Sequence, residues 1–172
     1  MSEPEKLFET RWLALYRSGR WDYVRRPQAE AAVGILAITP EREIVLVEQF
    51  RIPVQRRVIE IPAGLVGDED AFQGESLADT ARRELLEETG FRAEVVTELL
   101  RTPTSAGMTS EFLHLFQATG LSREHGGGGT AGEDIVVHQV PLAGLREWLA
   151  SREGEGMVID FKIFAALWLA GL

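Results

Sequence analysis

The chain has 172 residues, of which 45% are hydrophobic and 26% charged, so it is long enough for one globular domain with a full core. Its net charge of −9 excludes the basic surface that a nucleic-acid backbone requires, although metal ions could mediate contact with a phosphate-bearing small molecule. The absence of cysteine excludes disulfides and thiol catalysis, and no apolar run approaches the roughly 20 residues of a membrane span. No signal peptide is evident, so we expect a cytoplasmic protein that does not bind a membrane.

Residues 1–28 predict an N-terminal extension built on a β-hairpin. Two runs rich in aromatic residues, 7–17 and 20–26, flank Ser18-Gly19, which is a turn signal. The two runs contain both tyrosines and two of the four tryptophans of the chain. We expect these rings to pack on the hairpin's own core or, alternatively, to contact a second subunit or a planar base. If the rings contact a second copy of this chain, the protein is a homodimer.

Residues 29–172 predict a domain of the α/β class. We expect strands at 30–38, 43–50, 57–61, 93–101, 111–118 and 135–140, and helices within 75–90, 141–151 and 160–169. The segments 65–74 and 126–129 are rich in glycine, and we expect a long loop at the first and a flexible surface loop at the second. One helix lies between strands and two follow them, which fits an α/β/α sandwich around a mixed sheet.

The most informative stretch is the predicted helix between Ser76 and Gly90. Ser76 and Asp79 resemble a capping box at its start, and Gly90 suits the left-handed position after its last turn. Apolar residues from Leu77 to Leu85 recur at helical spacing and form one stripe. The stretch therefore predicts an α-helix with one face on the core.

Three carboxylates, Glu84, Glu87 and Glu88, crowd the last two turns of this helix, where the carbonyl ends already carry partial negative charge. Their spacing brings them to one face, with β-carbons roughly 5–6 Å apart, so their charges repel. A hard divalent cation such as Mg²⁺, which takes oxygen ligands, would account for the cluster. The alternative is a solvated acidic face that Arg82 and Arg83 partly neutralise.

The run from Glu75 to Phe91, E-x₇-R-E-L-L-E-E-T-G-F, resembles the signature box of the Nudix hydrolase family without a substitution. The box glycine that should precede this run is replaced by Glu69, and the upstream candidate for its place is Gly64 in Pro-Ala-Gly. The segment 65–74 is therefore about five residues longer than the family pattern. The resemblance implies a Nudix-type α/β/α sandwich and hydrolysis of a nucleoside diphosphate linked to another group.

The resemblance also implies a metal site. Glu84 and Glu88 would ligate one or two Mg²⁺ ions, with Mn²⁺ as an alternative, and Glu87 would bridge the ions or hold a ligated water. The backbone carbonyl of Ala63 would add a ligand, as in relatives that share the sequence Pro-Ala-Gly. Arg83 would orient a glutamate through a charge-assisted hydrogen bond.

Two runs outside the box resemble the ADP-ribose and nucleotide-sugar pyrophosphatase branch of the family, namely V-E-Q-F-R-I-P at 47–53 and V-I-E-I-P-A-G at 58–64. In that branch the arginine contacts substrate phosphate, and the glutamate before Pro-Ala-Gly lies in the substrate pocket. These roles fall on Arg51 and Glu60. The alternatives are a surface ion pair of Arg51 with Glu48 or Glu60, and a solvent-facing position for Glu60.

The run Ser105–Glu111 is similar to the Ser-Pro-Gly-x-x-x-Glu loop of the same branch, in which the glutamate helps to activate or position the water. Glu111 takes that place, although Ala106 replaces the proline. The alternative for Glu111 is an ordinary residue at the start of a strand. The three histidines share no metal-ligand spacing, and we expect them to be structural or solvated.

Together these resemblances imply a Mg²⁺-dependent pyrophosphatase that cleaves ADP-ribose or a related ADP-sugar into a nucleoside monophosphate and a phosphorylated sugar. The residues expected to act in catalysis are Glu111, Glu87 and Arg83. The alternatives are GDP-mannose or another nucleoside diphosphate as substrate, and a non-catalytic module that senses a nucleotide. The branch that the sequence resembles also favours a homodimer.

Overall fold

The computed structural model describes residues 3–68, 70–130 and 132–172. Within these ranges the strands are β1 (Glu5–Glu9), β2 (Ala14–Ser18), β3 (Trp21–Arg25), β4 (Ala31–Ile38), β5 (Glu43–Arg51), β6 (Arg56–Glu60), β7 (Ala63–Val66), β8 (Phe91–Pro103), β9 (Phe112–Arg123), β10 (Val136–Pro141) and β11 (Val158–Ile159). The α-helices there are α1 (Leu77–Thr89), α2 (Leu145–Gly154) and α3 (Phe161–Leu169). None of these helices combines the length and the hydrophobicity that a bilayer crossing requires.

Strands β4 to β11 form one mixed sheet in the order β11-β6-β5-β4-β9-β8, with β10 paired to β5 and β7 paired to β4. The pairs β4–β9 and β11–β6 are parallel, and the other pairs are antiparallel. The C-terminal end of β4 pairs with β5, whereas β7 pairs with the N-terminal half of β4 and also contacts α1. This arrangement places Ala63 and Gly64, at the start of β7, next to the helix that carries the acidic residues.

Hydrophobic side chains on both faces of the sheet confirm the predicted α/β/α sandwich. Along β4, Val33 and Ile35 pack in the same cluster as Leu85 of α1, while Leu36 belongs to the cluster on the other face with Ile163 of α3. All five side chains are fully buried, and each such side chain contributes about 1.5–3 kcal/mol relative to an exposed one. This burial fixes α1 on one face of the sheet, opposite α2 and α3.

The N-terminal region is a separate antiparallel sheet in the order β1-β2-β3. The predicted hairpin is present as β2 and β3, but the expectation of a single strand at 7–17 is wrong. The chain turns at Thr10, whose hydroxyl accepts the backbone N–H groups of Trp12 and Leu13. Burial on the hairpin's own core is also wrong for Trp12 and Trp21, which are 61% and 60% exposed.

This N-terminal sheet contacts the rest of the chain through the loop between β8 and β9. The backbone N–H of Val24 donates to the carbonyl of Met108 at 2.9 Å, and the N–H of Ser110 donates to the carbonyl of Val24 at 3.2 Å. Just beyond β3, Nε of Arg26 lies 2.6 Å from Oε1 of Glu111. The sheet therefore braces the loop that ends in Glu111. The division of the chain at residue 28 stays a prediction.

Two further expectations about loops and helix ends are wrong. The segment 65–74 is not one long loop, because β7 runs into it and Asp70–Phe72 forms a 3₁₀ turn; Glu69 lies outside the described residues. The second predicted helix does not begin at Pro141, because that residue has extended backbone angles (φ −55°, ψ 129°) and still pairs with β5. Helix α2 begins at Leu145 instead.

The glycine run 126–129 is not the free surface loop that we expect from its composition. The amide of Gly128 donates to the carbonyl of Glu88 at 2.8 Å, and the amide of Gly129 donates to the carbonyl of Glu87 at 3.1 Å. Both carbonyls belong to the last turns of α1. The run is therefore anchored to the end of that helix.

Candidate active site

Helix α1 carries the acidic cluster, which consists of Glu84, Glu87 and Glu88. The helix begins after Ser76, whose hydroxyl accepts the N–H of Asp79 at 3.1 Å, and it ends at Gly90, which has a left-handed conformation with φ 76°. Both helix ends therefore lie where the sequence predicts them. Because the buried Leu85 fixes the helix on the sheet, Glu88 is 5% exposed, whereas Glu84 and Glu87 are half-buried.

Arg83 joins the acidic cluster to the residue that precedes the helix. Its Nη1 donates to Oε2 of Glu87 at 2.9 Å and lies 3.0 Å from Oε1 of Glu84, while its Nε donates to Oε2 of Glu75 at 3.2 Å. The ring of Phe72 packs on the guanidinium, with Cζ 4.1 Å from the ring centroid. Arg83 can therefore orient three glutamates, and the inserted segment before α1 covers it.

The start of β7 lies against two members of the acidic cluster. The backbone N–H of Ala63 donates to Oε2 of Glu88 at 3.0 Å. A β-carbon added to Gly64 would lie 2.0 Å from Cδ of Glu84, so only glycine leaves room for that carboxylate. The sequence Ala63-Gly64 is therefore fitted to the two carboxylates that lie one turn apart on α1.

Burial makes the ionised form of these two carboxylates unfavourable. Burial raises the pKa of Glu84 to about 7, although the charge of Arg83 acts in the opposite direction. Burial also raises the pKa of Glu88 to about 8, and the hydrogen bond from Ala63 only partly offsets this rise. Two buried carboxylates with raised pKa values are stabilised as anions when a cation lies between or beside them.

The donor set of the acidic cluster fits Mg²⁺, which takes oxygen ligands and is held in proteins by a few carboxylates and waters. Among the residues that the structure describes, no group of three or more histidine, cysteine or acidic side chains has a ready-made metal geometry. In the structure, Arg83 and the Ala63 amide hold carboxylate oxygens of Glu84, Glu87 and Glu88. The carboxylates would exchange some of these partners for the cation.

A cleft of about 760 Å³ lies beside β7 and contains the predicted substrate-binding residues. The predicted site residues that line it are Arg51, Glu60, Ala63 and Glu111. Gly64 also lines the cleft, so the cleft and the acidic cluster share the start of β7. A larger groove of about 980 Å³ between α2 and α3 is mainly apolar and lies on the other face of the sheet.

Arg51 and Glu60 form an ion pair inside this cleft. Nε of Arg51 donates to Oε2 of Glu60 at 2.6 Å. Glu60 is 5% exposed, so the alternative of a solvent-facing position is wrong. Nζ of Lys162 lies 3.7 Å from the other carboxylate oxygen of Glu60 and is also paired with Asp160. Burial is the main cause of the raised pKa of Glu88, and the charge of Arg51 acts against this rise.

Glu111 lies directly before β9, at the end of the loop that the N-terminal sheet braces. Its carboxylate pairs with Arg26, and its side chain is 18% exposed. It lines the same cleft as Arg51 and Glu60, and its side-chain contacts described above are with Arg26 and not with the acidic cluster. The structure therefore brings Glu111 to the substrate cleft and holds it there through the N-terminal region.

Sequence reasoning missed three charged residues of this region. Burial is the main cause of the raised pKa values of Glu88 and Glu84, and the charge of Glu133 adds to the rise at Glu88 as that of Asp68 does at Glu84. Lys162 enters the cleft from the first turn of α3. All three come from loops or from a distant helix, and no local sequence signal predicts that they lie in this region.

The chain is similar to known proteins in sequence and in fold. The family model described as the NUDIX domain matches residues 29–155. A solved structure, "Crystal structure of ADP compounds hydrolase", superposes with a TM-score of 0.71 at 23% identity, over 98% of this chain and 89% of that one. That likeness supports the fold.

Several curated proteins are similar to this chain in sequence, and their names describe different activities. The chain is 38% identical over 120 residues to the methanol dehydrogenase activator of Bacillus methanolicus, covering 70% of this chain and 60% of that protein. It is 36% identical over 127 residues to the ADP-ribose pyrophosphatase of Bacillus subtilis (strain 168), covering 69% and 64%. It is 29% identical over 143 residues to the GDP-mannose pyrophosphatase of Cronobacter sakazakii, covering 78% and 70%. The match thus spans less than two thirds of the first two relatives.

Proposed function

This chain belongs to the Nudix family, and from that premise we propose that it is a Mg²⁺-dependent pyrophosphatase acting on ADP-ribose or a related nucleoside diphosphate sugar. The products would be a nucleoside monophosphate and a sugar phosphate. The observation that carries the proposal is the fit of Glu84 and Glu88 against Ala63 and Gly64, at the wall of a cleft that contains Arg51. Buried carboxylates and the guanidinium of Arg51 thus border the same cleft.

In this proposal Glu84, Glu87, Glu88 and the carbonyl of Ala63 hold Mg²⁺, with Mn²⁺ as an alternative. Bound Mg²⁺ would offset the charge of the diphosphate and lower the pKa of a ligated water. Arg83 keeps the carboxylates in place through its hydrogen bonds to Glu84 and Glu87.

The cleft residues bind and orient the substrate. Arg51 donates hydrogen bonds to a phosphate oxygen, which a guanidinium does well because its donors form a planar fork. Glu60 holds Arg51 through the 2.6 Å hydrogen bond to Nε, and this leaves the terminal nitrogens of the guanidinium for the substrate. Burial of Glu60 makes this orientation rigid.

Two carboxylates are candidates to accept a proton from the attacking water. Glu111 is the first, because it lines the cleft and Arg26 fixes its carboxylate. Glu133 is the second, because its carboxylate lies beside Gly129, whose amide donates to the carbonyl of Glu87, and is held by the amide of Thr130 at 2.7 Å. Comparing Glu111→Gln with Glu133→Gln separates them, since replacement of the true base removes most of kcat and leaves KM nearly unchanged.

The experiment that tests the proposal is a turnover panel in Mg²⁺ with an EDTA control for each compound. The panel contains ADP-ribose, ADP-glucose, GDP-mannose, NADH, coenzyme A and a dinucleoside polyphosphate. We expect EDTA-sensitive release of AMP and ribose phosphate from ADP-ribose, in agreement with the name of the Bacillus subtilis relative. Preference for GDP-mannose would keep the chemistry and change the substrate, and absence of turnover on every compound would refute the proposal.

A cytoplasmic homodimer is also part of the proposal. The N-terminal sheet exposes Phe8, Trp12 and Trp21, each at least 60% exposed. Large aromatic side chains that are exposed in a single chain are enriched at interfaces. A mass of two chains by light scattering at micromolar concentration is expected, and a monomeric mass would refute this part. The cytoplasm is proposed because nucleoside diphosphate sugars are made and used there.

A further inference from the structure

The glycine strap, residues 124–129, contacts the C-terminal end of α1. A helix leaves its last carbonyl groups without intrahelical partners. Here the carbonyls of Glu88 and Glu87 accept the amides of Gly128 and Gly129, at 2.8 and 3.1 Å. The strap therefore satisfies the backbone of two residues whose side chains belong to the acidic cluster.

The contact between strap and helix is too close for any side chain. A β-carbon on Gly127 would lie 2.5 Å from the carbonyl carbon of Thr89 and 2.6 Å from the carbonyl oxygen of Glu88. A β-carbon on Gly90 would lie 2.2 Å from the carbonyl oxygen of His125. Both glycines also have positive φ angles, 74° and 76°, which favour glycine. The glycine content of the strap is thus explained by packing on α1 as well as by turn geometry.

The strap also offsets an electrostatic conflict. The end of a helix carries partial negative charge, and carboxylates in its last turn are unfavourable. The acidic cluster lies in those last turns, with Glu84 and Glu88 partly or fully buried. Backbone amides that point at the helix end place partial positive charge there. The strap therefore opposes the fraying that the repulsion would cause.

We propose that the glycine strap is a positioning element that fixes the last turn of α1, and with it Glu87 and Glu88, in the orientation that binds a divalent cation. The inference rests on the proposed function, because it needs the acidic cluster to bind a metal ion. If the strap were only a cap that stabilises the helix, disturbing it would lower the free energy of unfolding and would leave the affinity for Mg²⁺ unchanged. The two roles are therefore separable by experiment.

The test is the substitution Gly127→Ala, with Mg²⁺ binding measured by calorimetry on the full chain without substrate. The added methyl group forces the strap away from Thr89 and Glu88. We expect the Kd for Mg²⁺ to rise about tenfold, the usual size of the effect when a group that supports metal ligands is lost. The kcat measured at low Mg²⁺ falls accordingly, excess Mg²⁺ restores it, and KM for the substrate at saturating Mg²⁺ stays unchanged.

Two matched variants control for the mutation itself. Gly126→Ala lies in the same strap, but its added β-carbon has no atom within 4 Å and its φ is not in the left-handed region, so Mg²⁺ binding should match the unmodified protein. Gly156→Ala has a φ of 90° and an equally free β-carbon outside the strap, so it introduces backbone strain without contact to α1. It should lower the free energy of unfolding and leave the Kd for Mg²⁺ unchanged.

A Kd for Mg²⁺ that is unchanged in Gly127→Ala overturns the inference, as does an equal rise in Gly156→Ala. If Gly127→Ala does not fold, the test uses His125→Ala, which removes the acceptor of the Gly127 amide without adding atoms. We then expect the Kd for Mg²⁺ to rise about threefold. An unchanged Kd in His125→Ala overturns the inference. An unmodified protein that binds Mg²⁺ without turnover refutes the proposed function alone. One that binds no Mg²⁺ refutes both.

Discussion

Replacing Gly64 with alanine tests the fit between β7 and the acidic cluster. The new β-carbon would lie 2.0 Å from Cδ, 2.2 Å from Oε1 and 2.4 Å from Cγ of Glu84. These atoms form the far end of a flexible side chain, so Glu84 must rotate away while the backbone stays. Rotation breaks the 3.0 Å contact with Arg83 and removes one carboxylate from the metal site.

The size of the effect differs for folding and for metal binding. An alanine in place of glycine restricts the unfolded chain and stabilises the fold by about 0.4–1 kcal/mol, whereas a strained rotamer of Glu84 costs about 0.5–1.5 kcal/mol. The free energy of unfolding should therefore change by less than about 1 kcal/mol. Disturbing one ligand weakens metal affinity or activity about 10- to 100-fold, which corresponds to about 1.4–2.8 kcal/mol.

The assay is turnover as a function of Mg²⁺ concentration, together with urea unfolding. Gly144→Ala is the control, because its added β-carbon has no atom within 4 Å. We expect Gly64→Ala to need at least tenfold more Mg²⁺ and to unfold near the urea midpoint of the unmodified protein. An unchanged Mg²⁺ dependence in a folded Gly64→Ala variant would refute the assigned contact between Gly64 and a metal ligand.

Three further predictions concern the core, the cleft and the response to pH. Leu85→Ala should lower the free energy of unfolding by about 2–5 kcal/mol in urea, because the side chain is fully buried under α1; a loss below about 1 kcal/mol would contradict that packing. Arg51→Lys keeps the charge but loses the hydrogen bond from Nε to Glu60, so KM should rise about tenfold with the Kd for Mg²⁺ unchanged; an unchanged KM would contradict phosphate binding by Arg51. Burial raises the pKa of Glu48, but hydrogen bonds from His138 and Arg57 outweigh burial and leave the pKa below its ordinary value of 4.5. A depressed pKa contributes stability above pH 4.5 that is lost as pH falls through the folded-state pKa. The free energy of unfolding of Glu48→Gln should therefore fall less steeply at acid pH than that of the unmodified protein. An equally steep fall in both proteins would contradict this.

Local signals explain why the sequence predicts α1 so well. Ser76 and Gly90 mark its ends through interactions within one turn, and the stripe that includes Leu85 gives its buried face. The same holds for α3, whose first residue follows the capping Asp160. Elements with local start and stop signals can be predicted from one sequence, because few distant contacts compete with them.

Contacts between distant segments explain what the sequence does not predict. The burial of Glu60 depends on Lys162, which lies more than 100 positions later in the chain. The glycine run 126–129 is flexible by composition, yet hydrogen bonds to α1 anchor it. Trp12 is exposed because it lies in the turn at Thr10 between β1 and β2, which the aromatic pattern does not show.

The most direct test of the account is the rate of ADP-ribose hydrolysis by Glu88→Gln at saturating Mg²⁺, compared with the unmodified protein. Glu88 accepts the Ala63 amide and is nearly buried, so glutamine preserves the volume and the hydrogen bond while removing the charge. The account predicts that most turnover is lost and that urea unfolding shows an intact fold. Near-normal turnover by the folded variant would contradict the assignment of the acidic cluster as the metal site.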